Sequence, residues 1–181
     1  MPPVIASVSG GKDSTALCLY LLEQGIEFRA VHMDTGWEAP QTDEYLREVL
    51  PRFIGPIEWI RPPEPMAALI RQKGCFPARA SRFCTEFLKI FPFAAWLDET
   101  YPRDRLFNAV GIRADESQAR ALLAEWQDVQ WAITWRPLLR WTTCDVIDIH
   151  ARHGVPPNPL YLAGAKRVGC WPCIFARKRE I

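Results

Sequence analysis

This sequence has no run that approaches the roughly 20 consecutive apolar residues that a membrane-spanning helix needs. Its first residues, Met1 to Ile5, carry neither a basic segment nor a long apolar stretch, so no export signal is visible. The chain also has no internal repeat and no low-complexity segment. We therefore expect a cytoplasmic protein with no membrane partner and a single domain over residues 1–181.

The sequence also lacks a strong net charge, which is only +1. Its basic residues are nevertheless unevenly spread, with concentrations in residues 61–90 and after Gly164. A local basic face suits phosphate, sulfate or nucleic acid, and ordinary solvated surface is the alternative. The basic residues concerned are Arg61, Arg71, Lys73, Arg79, Arg82, Lys89, Lys166, Arg167, Arg177, Lys178 and Arg179.

Short apolar runs alternate with segments of helical periodicity along the chain. This alternation predicts an α/β fold with a mainly parallel, doubly wound sheet and helices on both faces. Loops at the carboxyl ends of the strands should then share one edge. The predicted strands are 4–8, 28–33, 57–60, 106–110 and 131–135, and the predicted helices are 13–24, 41–50, 66–73, 85–97 and 143–152.

The first predicted strand runs directly into a glycine-containing loop that opens a helix. In Ser9-Gly10-Gly11-Lys12-Asp13-Ser14-Thr15, the glycines let successive N–H groups turn toward an anion. The helix adds its positive dipole end, Lys12 adds a cation, and Ser14 and Thr15 add hydroxyls. Asp13 either caps the helix or holds Mg²⁺ that in turn holds pyrophosphate.

Two common phosphate motifs do not fit this loop. The P-loop pattern requires glycine at Ala6 and serine or threonine at Asp13, and the dinucleotide fingerprint requires glycine at Lys12. A plain glycine turn with a capping serine is the alternative. The complete heptad after a buried strand favours a phosphate-binding site.

Six cysteines in a chain without an export signal favour metal or redox use over disulfides. Cys18 and Cys144 fall in apolar helical runs and are predicted to be buried. Cys170-Trp171-Pro172-Cys173 has the C-x-x-C spacing that zinc and iron–sulfur sites share, and it supplies only two ligands. The available partners are Cys84 and Cys75.

The heptad resembles the SGGxDS loop of the ATP pyrophosphatase group, and two further segments resemble its phosphoadenylylsulfate (PAPS) reductase branch. These segments are Asp34-Thr35-Gly36, after the second strand, and residues 111–120, which match G-x-R-x-x-E-S-x-x-R. The resemblance implies a Rossmann-like fold of the adenine nucleotide alpha-hydrolase type. It also implies that the ligand is ATP or an adenylylsulfate-type nucleotide.

The resemblance extends to the cysteines. Cys84, Lys89 and Pro92 match the first cysteine, the lysine and the proline of iron–sulfur adenylylsulfate reductases, while Thr85 occupies the position of their second cysteine. We therefore expect a 4Fe-4S cluster, with zinc as the alternative, held by Cys75, Cys84, Cys170 and Cys173. Residues 155–181 form the segment that carries the C-terminal pair.

These arguments yield two sets of candidate residues. Arg113 and Arg120 can each form a planar fork on sulfate or phosphate oxygens, with Glu116 orienting one of them. Asp34 is placed to meet adenine or ribose, Gly111 to let backbone approach the nucleotide, and Lys89 to link cluster and substrate charge. The catalytic candidates are Lys12, Asp13, Ser14, Arg113 and Lys89, and the nucleotide-binding candidates are Ser9, Gly10, Gly11, Lys12, Asp13, Ser14, Thr15, Asp34, Gly111, Arg113, Glu116 and Arg120.

The histidines and the segment before the C-terminal cysteines are predicted to have structural roles. His32 is expected to be packed, while His150 and His153 are expected to cap a helix or lie in solvent. Asn158-Pro159-Leu160-Tyr161 is interpreted as scaffold that returns the cysteine pair to the nucleotide edge.

Three functions are compatible with this sequence. The first is adenylylation of an acceptor by ATP with sulfur chemistry at the cluster, for which a nucleic acid is a suitable acceptor. The second is reduction of adenylylsulfate or phosphoadenylylsulfate to sulfite, although the E-C-G-L-H tail of such reductases is not present before Ile181. The third is a non-catalytic ATP-binding subunit. The oligomeric state is left open, and a homo-oligomer is compatible with the sequence.

Overall fold

A six-stranded sheet forms the centre of the protein, whose computed structural model describes residues 2–102, 105–129 and 131–176. The strand order is β3-β2-β1-β4-β6-β5, and every pairing is parallel except that of β5 with β6. The strands are β1 (Val4–Ser7), β2 (Arg29–Met33), β3 (Ile57–Ile60), β4 (Phe107–Val110), β5 (Trp126–Val129) and β6 (Ala132–Trp135).

Helices connect the parallel strands. The α-helices are α1 (Lys12–Glu23), α2 (Pro40–Glu44), α3 (Pro51–Ile54), α4 (Met66–Lys73), α5 (Phe83–Thr85), α6 (Phe91–Thr100), α7 (Gln118–Ala121), α8 (Thr143–Arg152) and α9 (Pro159–Leu162), and a 3₁₀ turn covers Ala114–Glu116.

Two of the helical stretches contain a π-helical turn. Tyr45–Val49 joins α2 to α3, and Glu86–Ile90 joins α5 to α6. In each stretch a proline follows within two residues, Pro51 in one and Pro92 in the other. Proline lacks the N–H of the regular ladder and its ring crowds the preceding turn, which accounts for a locally widened helix at these two places.

Helices cover both faces of the sheet, as the apolar runs predict. On one face, Val4 and Ala6 of β1 pack in a cluster with Leu17 of α1 and Ile149 of α8. On the other face, Ile5 packs in a second cluster with Leu97 of α6. Alternate residues of one strand are therefore buried on opposite sides, as a parallel sheet between two helical layers requires.

The predicted strands and long helices are confirmed, with shifts of one to three residues at most ends. The helical stretch predicted to stop at Pro51 instead continues through α3 to Ile54. The structure adds β5, the short helices α7 and α9, and the 3₁₀ turn. Trp126 of β5 stacks on Trp135 of β6 at 4.9 Å between ring centroids, and this contact secures a strand whose other residues are largely exposed. No helix in the described ranges is long and apolar enough to cross a membrane.

Candidate functional site

The candidate site lies at the carboxyl ends of β1, β2 and β4. β1 pairs with β2 on one side and with β4 on the other, so the connections that leave these strands diverge around its carboxyl end. In open α/β sheets, ligands bind at such a reversal of strand order. The structure therefore brings the heptad, the Asp34 turn and the Gly111 segment together at one edge.

The heptad forms a tight turn between β1 and α1. Gly10 has φ of +73°, a conformation that residues with a Cβ rarely adopt, and a Cβ there would lie 3.0 Å from Cγ2 of Thr42. Ser14 closes the turn, because its Oγ accepts from the N–H of Ser9 at 3.1 Å and donates to the carbonyl of Gly11 at 3.0 Å. Ser14 therefore shapes the loop, and Thr15 is fully buried beneath it.

The start of α1 presents unpaired donors. Gly11 is the N-cap residue, and no side chain caps the helix. Asp13 does not serve as the cap, which corrects one of its two predicted roles. In the part of the chain that the structure describes, the N–H groups of Gly10, Gly11 and Asp13 donate to no protein group. Such donors at a helix N-terminus form an anion site.

Gly111 is required by packing against α1. A Cβ at this position would lie 2.5 Å from the carbonyl oxygen of Asp13 and 2.9 Å from the backbone nitrogen of Ser14. The close approach predicted for Gly111 therefore exists, but its partner is the backbone of the phosphate loop. The contact fixes the end of β4 against the first turn of α1.

Asp13 and Arg113 form the central ion pair of this edge. Asp13 contacts Nζ of Lys12 and Nε of Arg113, each at 2.6 Å. The Arg113 side chain is only 3% exposed, and its Nη1 contacts Asp115 at 2.6 Å. The predicted fork of Arg113 is thus engaged by carboxylates, and Asp13 lies between two cations. The Mg²⁺ ligation by Asp13 stays a prediction.

Glu116 organises the remainder of the 111–120 segment. Its Oε2 accepts from the backbone N–H of Arg113 at 3.0 Å and forms an ion pair with Arg120. Arg120 retains 30% side-chain exposure. The carboxylate therefore orients one of the two arginines, and Arg120 is the better placed of the two for an external anion.

The turn after β2 is held by carboxylates. Asp34 accepts from the N–H of Gly36 at 3.1 Å and from Nε of Arg61 at 2.9 Å. Thr35 donates its hydroxyl to Glu38 at 2.7 Å, and Glu38 also accepts from the N–H of Trp37. Sequence reasoning did not single out Glu38, although a carboxylate two residues after a D-T-G turn is the signal that could have identified it.

Three side chains from the C-terminal third of the chain form hydrogen bonds with the backbone of the loop formed by residues 9–15. His150 bonds to the carbonyl of Lys12 at 2.9 Å, and the hydroxyl of Tyr161 accepts from the N–H of Lys12 at 3.0 Å. Asn158 donates to the carbonyl of Gly10 at 3.2 Å. The expectation that His150 caps a helix or lies in solvent is therefore wrong. The segment 158–161 also contacts the loop directly and does more than return the cysteines.

The cysteines are placed in several environments. Cys18 is fully buried as predicted, and this burial raises the pKa of its thiol, while Cys144 is exposed and its predicted burial is wrong. Cys170 forms an isolated antiparallel bridge with Glu38 and lies 3.8 Å from Oγ1 of Thr35. Cys170 therefore lies against the turn that follows β2.

The four predicted metal ligands are not gathered into one site. Cys75 is exposed, and Cys84 packs beside an apolar cluster that contains Met66, Leu69, Phe83 and Leu88. Within the ranges 2–102, 105–129 and 131–176, no group of three or more His, Cys, Asp or Glu side chains is arranged to hold a metal ion. The described arrangement therefore does not bring the four predicted ligands to one metal, and the 4Fe-4S cluster, with zinc as its alternative, stays a prediction.

The positive charge of Lys89 acts on two buried groups, the Cys170 thiol and the His32 ring. Burial raises the pKa of the Cys170 thiol, and the positive charge of Lys89 acts against that rise. His32 is buried as predicted, with Nδ1 at 2.8 Å from the carbonyl of Val8, and burial lowers its pKa. Lys89 therefore acts electrostatically on Cys170, and its link between a cluster and substrate charge stays a prediction. The predicted basic residues Arg177, Lys178 and Arg179 lie outside the described residues.

Comparison with known proteins agrees with this geometry. The sequence model of the phosphoadenosine phosphosulfate reductase domain matches residues 3–176. The chain belongs to this family. It is 33% identical to an uncharacterised 37.8 kDa protein of Escherichia phage 186, over 98% of this chain and 68% of that protein.

One of the relatives carries the name of an enzyme. The chain is 28% identical to adenosine 5'-phosphosulfate reductase of Mesorhizobium japonicum, over 93% of this chain and 65% of the reductase. It therefore spans about two thirds of the length of these relatives. The crystal structure of phosphoadenylyl-sulfate reductase from Candida auris in a phosphate complex superimposes with a TM-score of 0.73 at 20% identity, covering 96% of this chain and 83% of that one. The fold is that of the adenine nucleotide alpha-hydrolases.

Proposed function

We propose that this protein binds ATP or an adenylylsulfate-type nucleotide, with the phosphates on residues 9–15, and breaks or forms a bond to the adenylyl phosphorus. In the ATP form of the reaction, an acceptor oxygen attacks the α-phosphorus and the bond to the β-phosphate oxygen breaks. Pyrophosphate leaves and the acceptor carries the adenylyl group. A later attack by a sulfur nucleophile on the acceptor would release AMP.

One observation carries this proposal. The N–H groups of Gly10, Gly11 and Asp13 are unpaired at the start of a 12-residue helix, in the part of the chain that the structure describes. Lys12 adds a charged group that remains 26% exposed. Amides with the partial positive charge of a helix N-terminus stabilise the charge of a polyphosphate leaving group.

The roles of the other candidates follow from their positions. Arg113 and Asp13 hold the loop in shape and Ser14 closes it. Arg120, paired with Glu116, and Lys89, whose charge acts on Cys170, are proposed to supply positive charge for the ligand. Asp34 is proposed to meet the adenosine part, because it follows the strand next to β1. Mg²⁺ bound by the phosphates themselves remains compatible with this arrangement.

The sulfur chemistry is proposed to involve Cys170 and Cys173. The pair docks on the Asp34 turn, which places a thiol beside the edge where the nucleotide would bind. The sequence-based 4Fe-4S proposal requires two further ligands that the described arrangement does not bring to this pair. No step of the proposed adenylyl chemistry depends on the cluster.

Reduction of adenylylsulfate or phosphoadenylylsulfate to sulfite is the second candidate. Its support is the reductase name of a relative at 28% identity and the positive charge of Lys89, which acts on the Cys170 thiol. The two candidates differ in products, since the first releases pyrophosphate from ATP and the second releases sulfite from a sulfate-activated nucleotide. A non-catalytic ATP-binding subunit would release neither.

Isothermal titration and product assays test the proposal. Wild-type protein should bind ATP, and Lys12→Ala should weaken binding by about tenfold to a hundredfold through the loss of a charge-assisted contact. Lys73→Ala on α4 is the matched control, because its ammonium group lies over the ring of Phe87 at 4.6 Å and away from the loop. Binding of ATP that is equally tight in both variants would contradict the assignment of the loop.

Product assays then separate the candidates. Pyrophosphate release from ATP should be measured with and without nucleic acid as acceptor, and sulfite release should be measured from adenylylsulfate with a thiol donor. Pyrophosphate release supports the first candidate and sulfite release supports the second. Binding without either product would support the non-catalytic subunit and overturn the proposed chemistry.

A further inference from the structure

Tyr161 occupies an unusual position relative to the phosphate loop. It belongs to α9, 149 residues from Lys12 in sequence, and its hydroxyl oxygen lies 3.0 Å from the Lys12 backbone nitrogen. Lys12 is the first residue of α1, so its N–H has no partner within the helix. A side chain from the C-terminal third thus occupies one of the donors that define an anion site.

The hydroxyl lies among the loop amides and beside charged groups. A Cβ on Gly11 would stand 3.3 Å from the Tyr161 oxygen, so glycine at this position leaves room for the phenol. Asp13 and Arg167 both act electrostatically on the hydroxyl. The phenol oxygen therefore lies beside Gly11 and Lys12 at the start of α1, next to the residues whose N–H groups are unpaired in the described ranges.

The hydroxyl retains a hydrogen to donate. Its contact with Lys12 uses an oxygen lone pair, because the backbone N–H is the donor, and within the described ranges no protein acceptor takes the phenol hydrogen. Burial raises the pKa of Tyr161 to about 12, so the group is protonated at neutral pH. A neutral phenol next to bound phosphate is a hydrogen-bond donor.

We propose that Tyr161 is a phosphate-binding residue, whose hydroxyl donates a hydrogen bond to a phosphate oxygen of the nucleotide held on residues 9–15. This inference rests on the proposed function and adds a ligand contact from α9 to the contacts from the loop. The N–H of Lys12 fixes the phenol oxygen, so the donor is oriented before the ligand arrives, which reduces the entropy lost on binding. Asn158, which opens α9 and bonds to Gly10, holds this helix against the loop.

The same contact could instead block the anion site until the nucleotide displaces the phenol. In that case the phenol oxygen would occupy the place of a phosphate oxygen on the Lys12 N–H and would have to leave when the nucleotide binds. Removing the hydroxyl would then tighten binding or leave it unchanged. The two functions therefore predict opposite signs for one substitution.

Tyr161→Phe is the deciding variant, because it removes only the hydroxyl oxygen and keeps the ring. We expect the Kd for ATP and for inorganic pyrophosphate, measured by isothermal titration, to rise about tenfold or more through the loss of a hydrogen bond to a charged group. Adenosine, which has no phosphate, should bind equally to both proteins. Tyr101→Phe is the control, since the Tyr101 hydroxyl bonds to Arg29 at the amino end of β2.

The outcomes separate this inference from the proposed function. A wild-type protein that binds neither ATP nor pyrophosphate contradicts the proposed function itself. A wild-type protein that binds both, with Tyr161→Phe equal or tighter, overturns the role of Tyr161 alone. The melting temperature of Tyr161→Phe should match that of Tyr101→Phe within a few degrees, which shows that lost affinity does not come from unfolding. A Tyr161→Phe protein that is unfolded at the assay temperature contradicts a ligand-binding role for the hydroxyl.

Discussion

Gly111 and Asp13 lie in backbone contact: a methyl group on Gly111 would be 2.5 Å from the Asp13 carbonyl oxygen. The contact joins the end of β4 to the first turn of α1, 98 residues earlier in the chain. No rotamer change can relieve a clash with backbone, so one of the two segments must move. The shape of the phosphate loop therefore depends on the absence of a side chain at position 111.

Gly111→Ala should lower the free energy of unfolding by about 3 kcal/mol, as overpacking against a rigid partner does. It should also weaken ATP binding. Gly25→Ala is the control, because its φ of +63° carries a conformational cost but no atom lies within 4 Å of the added methyl. Urea denaturation should show a loss of about 1 kcal/mol for the control. Equal losses in the two variants would contradict the packing explanation.

Asp13→Ala should destabilise the protein by about 2–3 kcal/mol. The Arg113 guanidinium is buried, and removal of one partner of a buried ion pair leaves its charge poorly compensated, although Asp115 still holds Nη1. Asp43→Ala, which breaks the exposed pair with Arg47, should cost no more than about 1 kcal/mol. Chemical denaturation measures the free energy of unfolding of both variants. A larger loss of this free energy in Asp43→Ala than in Asp13→Ala would refute the role of the buried ion pair.

His32 should make the protein sensitive to mild acid. Burial lowers the folded-state pKa of His32 below its unfolded value, so the unfolded state binds the proton more readily. The contribution of His32 to the free energy of unfolding is fully present above its unfolded-state pKa of about 6.5. This contribution is lost as the pH falls toward the folded-state pKa. The nearby charges of Asp34, Glu38 and Lys89 act on this titration.

His32→Asn tests this dependence, because its amide can replace the donor to Val8 but does not titrate. The free energy of unfolding should fall between pH 7 and pH 5 by up to about 1.4 kcal/mol per pH unit more in the wild type than in the variant. Parallel curves for the two proteins would show that His32 does not contribute to acid sensitivity.

Metal analysis of anaerobically purified protein tests the cluster prediction. Cys170→Ser and Cys173→Ser should remove bound metal, whereas Cys75→Ser should leave it unchanged, because Cys75 is exposed and the described residues show no group of three or more ligands that includes it. Iron with acid-labile sulfide supports the 4Fe-4S assignment, and zinc without sulfide supports the alternative. Loss of iron in Cys75→Ser would show that the described arrangement rearranges to bind metal.

The phosphate loop and most of the sheet could be predicted from local patterns. A buried apolar strand, two glycines and an apolar helix are encoded by neighbouring residues, so β1, Gly10 and α1 follow directly from the sequence. β5 could not be predicted in this way. Its residues Trp126–Val129 are mostly exposed, and the strand exists because it pairs with β6 and stacks Trp126 on Trp135.

The sequence by itself determined the chemical inventory: the anion loop, the arginine-rich 111–120 segment, the D-T-G turn and the cysteine pair. Tertiary structure alone decided the partners, because contacts such as Gly111 with Asp13, Tyr161 with Lys12 and His150 with Lys12 join residues that are about 100 or more positions apart. Local periodicity carries no information on such pairs, since they depend on how the sheet brings its loops to one edge. For the same reason the grouping of Cys75 and Cys84 with the C-terminal pair, which rests on sequence alone, stays a prediction.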